Sequence, residues 1–336
     1  MGETVNARIL GLGHHVPARV VTNADLTRVM DTSDEWILQR TGIRERHYVD
    51  TDAGPADLGA LAARDALAEA GLKASDLDLV LLATLSPDID FPCSASLLQR
   101  KLGVHGIPAM GVCNQCSGFL YMLSVADAFI RTGGARYVLA VGAETHSTGL
   151  DLSTQGREVA VIFGDGAGAA VLGPEPDPRR GILSTHLHSE GRFAEKLMVE
   201  VPTHRHQPRI TPDMLTGPGS RLWPRMEGRY VFKHAVNRFA EVIHEALAAN
   251  GATLGDIDLL IPHQANLRIS QLVAMGLELP EERVFNNIER YGNTTAASIP
   301  IALHEAVQAG RVPSGALVCL AAFGAGFTWA AALMRW

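Results

Sequence analysis

Residues 66–79 read ALAEAGLKASDLDL, and residues 246–259 read ALAANGATLGDIDL. Aligned without gaps, Ala66, Leu67, Ala68, Gly71, Asp76, Asp78 and Leu79 match Ala246, Leu247, Ala248, Gly251, Asp256, Asp258 and Leu259. Each copy has a helix pattern, a glycine stop, an Asp-x-Asp turn and the start of an apolar run. Low-complexity Ala/Leu helices match by chance, but here the match extends through the turn into the strand. Two such units, far apart, indicate a duplicated domain with pseudo-twofold symmetry, not a solenoid. The halves are predicted to meet near 175–180, where Gly173-Pro-Glu-Pro-Asp-Pro178 is a natural linker, giving units 1–175 and 176–336.

Outward from the repeat, the apolar runs are short and alternate with helix patterns. Leu77–Leu85, Tyr137–Val141 and Leu317–Ala322 read as buried strands of an α/β protein. Leu58 to Ala70 is an amphipathic helix ending at Gly71. Residues 190–229 break the pattern with five prolines and four glycines, and read as a long surface excursion.

The 336 residues are 47% hydrophobic and 19% charged, which supplies two cores and excludes disorder as the main state. Mean hydropathy is +0.09, and no apolar run approaches the ~18 residues of a membrane helix. The opening Met1-Gly-Glu-Thr-Val-Asn-Ala-Arg8 has no basic-then-apolar leader, and four cysteines are too few for a disulfide scaffold. A soluble, cytoplasmic protein is therefore expected. The net charge of −7 argues against non-specific nucleic-acid binding.

Cys116 lies between the apolar stretch 107–112 and the helix pattern Ser117–Arg131, closed by Gly133-Gly134. A cysteine there faces the positive end of the helix dipole, which favours thiolate. The alternative at this position is a buried cysteine acting as a small hydrophobe. Cys113-Asn-Gln-Cys116 is also a lone CxxC, weak for zinc but compatible with a redox pair; otherwise Cys113 faces the core.

His263 follows the second-repeat strand, where the first repeat has Ala83, beside Gln264 and Asn266. Strand ends of this kind are where α/β proteins place ligands. Asn293 opens a helix running to about Gln308; it is a natural cap, and its amide is also a donor suited to an oxyanion. The glycine-rich segments 163–170 and 323–327 fit neither GxxxxGK[ST] nor GxGxxG, so nucleotide hydrolysis and NAD chemistry are not supported. The His-x-His pairs 186/188 and 204/206 lack a third ligand in the sequence, so no metal is expected.

With these residues in view, the chain resembles the β-ketoacyl-acyl-carrier-protein synthase III family of thiolase-like condensing enzymes. The matching segments, in order, are Asp31–Arg44, Gln115-Cys-Ser-Gly-Phe119, Phe163-Gly-Asp-Gly-Ala-Gly-Ala-Ala170, Ile261-Pro-His-Gln-Ala-Asn-Leu-Arg268, Tyr291-Gly-Asn-Thr-Thr-Ala-Ala-Ser298 and Phe323-Gly-Ala-Gly-Phe327. The resemblance implies a thiolase-like α/β fold with five α-β-α-β-α layers. It implies an acyltransferase without a cofactor: Cys116 takes an acyl group from acyl-CoA, and malonyl-acyl-carrier-protein loses carbon dioxide and attacks the thioester. His263 and Asn293 would hold the enolate oxygen; backbone N–H groups of Cys116 and Gly324 would hold the other oxyanion. Trp36, Arg40, Arg157, Asn266 and Phe323 would line the coenzyme A and pantetheine channel. Phe91 would reach the acyl pocket of the partner in a homodimer.

Three departures stand out. Gly111 replaces a usual Asp beside the unusual Cys113, Glu158 replaces a small residue, and the 190–229 excursion is long. The run Asn114–Gly118 and Leu85-Ser-Pro-Asp88 also resemble the specialised branch that makes quinolone signals, so starter choice stays open. Two other readings are carried: an acyltransferase to a hydroxyl or amine without decarboxylation, and a CxxC thiol redox protein. Residues 204–238 hold seven basic against two acidic residues, +5 within a chain of −7. Arg225, Arg229 and Lys233, with Arg268, are the candidate docking cations for an acidic carrier protein.

Overall fold

The two Asp-x-Asp turns do the same work twice. Asp76 accepts the Lys73 N–H and Asp256 the Thr253 N–H, each at 2.8 Å, and so closes a short 3-10 turn. Asp78 then accepts the N–H groups of Arg136 and Tyr137 at 2.8 and 2.9 Å, as Asp258 accepts that of Leu317 at 2.7 Å. Each turn thereby starts one strand against the strand that lies beside it in the sheet. The preceding helices, Pro55–Ala70 and Gly228–Ala249, are each followed by a glycine at positive φ, Gly71 (66°) and Gly251 (62°).

The computed structural model describes residues 5–50, 52–215 and 220–336. Part of the leader reading (residues 1–4) and part of the 190–229 segment (residues 216–219) lie outside the described residues. In chain order the main strands are β1 (Asn6–His15), β2 (Leu79–Ala83), β3 (Ala109–Val112), β4 (Val138–Glu144), β5 (Gly166–Glu175), β6 (Gly181–Ser189), β7 (Leu259–Pro262), β8 (Leu317–Gly324) and β9 (Thr328–Arg335). One sheet has the order β1-β5-β4-β2-β3; the other has β7-β8-β9-β6. Read from β6, the second sheet repeats the first, and the bridge from Leu260 to Val284 stands where β2 pairs with β3. In both sheets the central pair is parallel and the next two are antiparallel.

Strand alternation sorts the core into layers. In β2, Leu79, Leu81 and Ala83 face a core shared by both sheets, whereas Val80 and Leu82 face helix Pro55–Ala70. In β8, Val318, Leu320 and Ala322 join the shared core, while Cys319, Ala321 and Phe323 face helix Gly228–Ala249. Helices Gly118–Arg131 and Ser298–Gln308 fill the middle between the sheets. The result is five layers, α-β-α-β-α, a thiolase-like α/β fold. Each buried Leu here contributes roughly 1.5–3 kcal/mol of hydrophobic stabilisation.

β5 runs through Gly173-Pro174-Glu175, so of the predicted linker only 176–178 lies in the connection 176–180 between the sheets. One expectation is revised. The 190–229 segment is not only surface: Leu197–Met198 and Arg225–Met226 pair as a short antiparallel ribbon, and its apolar side chains wall the cavity described below.

Candidate functional site

Equivalent positions in the two halves lie 180 residues apart. Gln115 and Thr295 are such a pair, and both have positive φ, 42° and 48°. Non-glycine residues avoid this region, and its use at both turns marks them as held by their surroundings. Each turn leads directly into a central helix. Cys116 and Ala296 follow these strained residues; Cys113 and Asn293 precede them. Ala83 ends its strand and His263 directly follows the equivalent one, while Glu144 and Gly324 end a second equivalent pair.

Cys116, His263, Asn293, Phe323 and Gly324 all line one cavity of about 450 Å³. Its remaining walls are mostly apolar, with Leu85, Leu197, Met198, Met226, Phe232 and Phe239 among them. The cavity runs into a wider mouth of about 940 Å³ lined by Trp36, Arg40, Glu158, Arg225, Arg229 and Arg268, with Asn266 shared between the two.

Burial pushes the Cys116 thiol up to about 12, and the nearby Glu144 carboxylate adds to the rise. The N–H groups of Cys116 and Ala325 oppose it. The helix-dipole expectation of a resting thiolate is therefore corrected: desolvation outweighs the dipole and the N–H donors. The donor beside the sulfur from the glycine segment is Ala325, not Gly324. Gly324 matters sterically, because a Cβ there would lie 2.8 Å from Cys116 Cβ and 3.0 Å from its N.

His263 is buried, and burial holds its imidazole down at about 3, so the ring is neutral. Its Nδ1 lies 2.6 Å from Ser298 Oγ, while its Nε2 has no hydrogen-bond partner. Asn293 Oδ1 accepts the Thr295 N–H at 2.8 Å, which fixes the amide. Asn293 does not cap the helix Ser298–Gln308, whose N-cap is Ala297; its oxygen serves the turn before the helix, and its Nδ2 is left for the cavity.

Sequence reasoning missed three nearby residues. His146 lines the cavity just past the end of β4, is held down at about 3 by burial, and sits 2.6 Å from Thr295 Oγ1. The strand-end rule that singled out His263 also applies to it. Glu144 is buried, and desolvation pushes its carboxyl up to about 7. It accepts from Ser86 Oγ at 2.7 Å and from Thr84 Oγ1 and the Leu85 N–H at 3.1 Å. Ser298 lay within a quoted motif, but its contact with His263 spans 35 residues.

The outer residues are arranged as follows. Arg40 and Arg157 both approach the Trp36 ring, 4.3 and 5.2 Å from its centroid, and the Arg157 guanidinium also donates to the Asp31 carbonyl at 2.5 Å. Asn266 caps helix Leu267–Gly276 through Oδ1 and donates to the Arg40 carbonyl at 2.8 Å. Phe91 lies well outside the cavity and is 79% exposed. Cys113 does not face the core; it is exposed and lines the cavity, with Gln115 Nε2 at 3.5 Å from its sulfur. At Gly111 a Cβ would lie 2.9 Å from Cys93 Cβ, so a side chain there would need a neighbour to shift.

The basic stretch is largely neutralised by acids outside it. Arg225 and Arg221 pair with Glu200, Arg209 with Asp90, and Arg238 with Glu190 and Glu241. Arg225 is thus not a free cation. Arg229, Lys233 and Arg268 are exposed, with no ion pair among the described residues. His186 and His188 both contact Glu245, at 3.1 and 2.6 Å, yet no group arranged to hold a metal ion occurs among the described residues. No helix among them is long and apolar enough to cross a membrane.

Known proteins resemble the chain over its whole length. The family model described as 3-Oxoacyl-[acyl-carrier-protein (ACP)] synthase III matches residues 110–191, and its C-terminal counterpart matches residues 247–336. The chain is 48% identical over 336 residues to the beta-ketoacyl-[acyl-carrier-protein] synthase III of Xanthomonas euvesicatoria, covering 100% of both. It is 50% identical over 334 residues to that of Rhodospirillum centenum, covering 98% of both. The crystal structure of the Thermus thermophilus synthase superimposes with a TM-score of 0.90 at 43% identity, covering 98% of this chain and 99% of that one.

Proposed function

The chain belongs to the 3-oxoacyl-[acyl-carrier-protein] synthase III family, and we propose that Cys116, His263 and Asn293 divide that family's reaction between the two halves, 1–175 and 176–336. The enzyme joins an acyl-CoA starter to malonyl-acyl-carrier-protein by decarboxylative Claisen condensation, the initiating step of fatty-acid synthesis. The observation that carries the division is the convergence of a buried thiol, an unpartnered imidazole nitrogen and a side-chain amide on one apolar cavity.

In the first half-reaction the Cys116 sulfur attacks the acyl-CoA carbonyl. Coenzyme A leaves with the proton that the thiol gives up, and the tetrahedral oxyanion lies against the N–H groups of Cys116 and Ala325. In the second, the malonyl carboxylate departs as carbon dioxide. The electron pair moves towards the thioester oxygen, which meets His263 Nε2–H and Asn293 Nδ2–H. The carbanion then attacks the Cys116 thioester, and the released thiolate takes up a proton. A neutral imidazole suits this role, because a donor must keep its proton while the enolate forms. The apolar walls strengthen these hydrogen bonds and disfavour the carboxylate relative to carbon dioxide.

Trp36, Arg40 and Arg157 form a cation–aromatic group suited to the coenzyme A nucleotide at the mouth, with Asn266 and Phe323 further in along the pantetheine arm. No cofactor takes part in this scheme. Arg229 and Arg268 at the mouth, with Lys233 on the same helix as Arg229, are the docking cations for an acidic carrier protein. Phe91, exposed on its loop, fits burial against a second copy in a cytoplasmic homodimer. Acyl transfer to a hydroxyl or amine would need a base to take the acceptor's proton, and His263, whose imidazole burial holds down at about 3, is a weak base for that step.

Intact-mass analysis of the enzyme with a panel of acyl-CoAs, followed by malonyl-acyl-carrier-protein, tests the scheme. Acylation confined to Cys116 and its discharge into a 3-oxoacyl carrier product are expected. Discharge without loss of carbon dioxide would refute it.

A further inference from the structure

Ser298 opens the central helix Ser298–Gln308 and is buried. Its Oγ lies 2.6 Å from His263 Nδ1 and accepts the Gln264 N–H at 3.3 Å. A serine hydroxyl has one proton and two acceptor sites. The Gln264 N–H fills one acceptor site, and His263 is the remaining partner among the described residues. If Nδ1 carried the ring proton and donated it, the serine proton would be buried without an acceptor, an arrangement native proteins avoid. If the serine donates instead, the hydroxyl and Nδ1 are both satisfied. The ring proton then sits on Nε2, the one buried nitrogen of the ring that has no partner.

The other half supplies an independent control. The position equivalent to Ser298 is Gly118, and that equivalent to His263 is Ala83. These two also touch, since a Cβ on Gly118 would lie 2.8 Å from Ala83 Cβ. The duplicated scaffold therefore brings these positions together in both halves, and a hydroxyl occurs only where an imidazole does.

We propose that Ser298 is a positioning residue that locks His263 as the Nε2–H tautomer, so that the ring meets the malonyl thioester oxygen as a donor. This rests on His263 being the decarboxylation donor proposed above. The logic matches that of histidines elsewhere whose outer hydrogen bond fixes the working nitrogen.

The test begins with the wild-type enzyme labelled with 15N-histidine. The chain has 13 histidines, and His263 is assigned by the resonances lost in His263→Ala. An unprotonated Nδ1 is expected; a protonated Nδ1 overturns the proposal without any Ser298 variant. Ser298→Ala should then slow decarboxylation by pre-acylated enzyme by about tenfold to a hundredfold, with Cys116 acylation unchanged. Ser298→Thr, which keeps the hydroxyl, should recover most of the loss. Wild-type decarboxylation in Ser298→Ala, or equal losses in both half-reactions, overturns the proposal while leaving the reading of His263 intact. Wild-type decarboxylation in His263→Ala removes that reading itself, and the proposal with it.

Discussion

The turn around Cys116 and the turn around Asn293 share one backbone and do different chemistry. Both place a strained residue, Gln115 at φ 42° and Thr295 at 48°, just before a central helix. Both face the same cavity. Yet one turn carries the sulfur while the other carries the amide, and His263 stands where the first half has Ala83. The duplicated scaffold supplies the geometry twice, and different residues at a few equivalent positions place the proposed nucleophile and the proposed donors on opposite sides. The contrast teaches that a helix N-terminus does not by itself activate a thiol. Buried Cys116 stays protonated at rest despite its favourable position.

The sharpest way to break the comparison is to make the two turns alike. Cys116→Ala puts at 116 the residue found at 296, and acyl-enzyme formation should vanish. Acylated Cys116→Ala protein in an intact mass spectrum would move the nucleophile elsewhere, Cys113 first. Removing the donors should have the opposite signature. His263→Ala and Asn293→Ala are expected to slow decarboxylation by about 10²–10³, the usual cost of one oxyanion donor, while acylation continues. Parallel losses would dissolve the division between halves.

The pH profiles should separate the two turns more gently. Because burial places the thiol at about 12, its ionised fraction rises about tenfold per pH unit well below that value. Acylation should therefore climb from pH 6 to 8. His263 loses its charge only near 3, so decarboxylation by pre-acylated enzyme should stay flat over this range as far as His263 is concerned. Stopped-flow measurement of each half-reaction checks this, and equal slopes would contradict it. Stability carries the same sign information. His263 and His146 are both held down at about 3, so below pH 6.5 the unfolded chain binds protons that the folded chain refuses. His14 and His15 are lowered too, while Glu144, pushed up to about 7, and Asp165, also raised, work the other way; with four histidines against two carboxyls, the urea midpoint should fall as pH drops from 7 to 5.

The smallest expected effect lies at the mouth. Charge reversal of Arg229 or Arg268 should raise KM for malonyl-acyl-carrier-protein several-fold, in a salt-dependent way, and leave acylation by small acyl-CoA unchanged. Arg225→Ala should do less, because Glu200 already neutralises Arg225 at 2.7 Å. Carrier kinetics unaffected by all three would remove the mouth from docking.

The duplicated α/β fold was legible because its marks are local. A glycine stop and two aspartates spaced two apart repeat in order, and each forms its bonds with nearby backbone or at a strand start. Cys116, His263 and Asn293 were legible for a related reason: each lies just after a strand or just before a helix, and such junctions are written in short runs of residues. The charge of residues 204–238 misled, since Asp90, Glu190, Glu200 and Glu241 lie outside that window and reach it only through the fold. The protonation of Cys116, the choice of Ala325 over Gly324 beside it, and the Ser298–His263 bond were equally invisible. The sequence by itself determined the repeated architecture and the kind of chemistry, and it put forward Cys116, His263 and Asn293 as the residues proposed to carry it. Only the tertiary structure decided which proton each group holds, because burial and hydrogen bonding depend on neighbours brought together from distant parts of the chain.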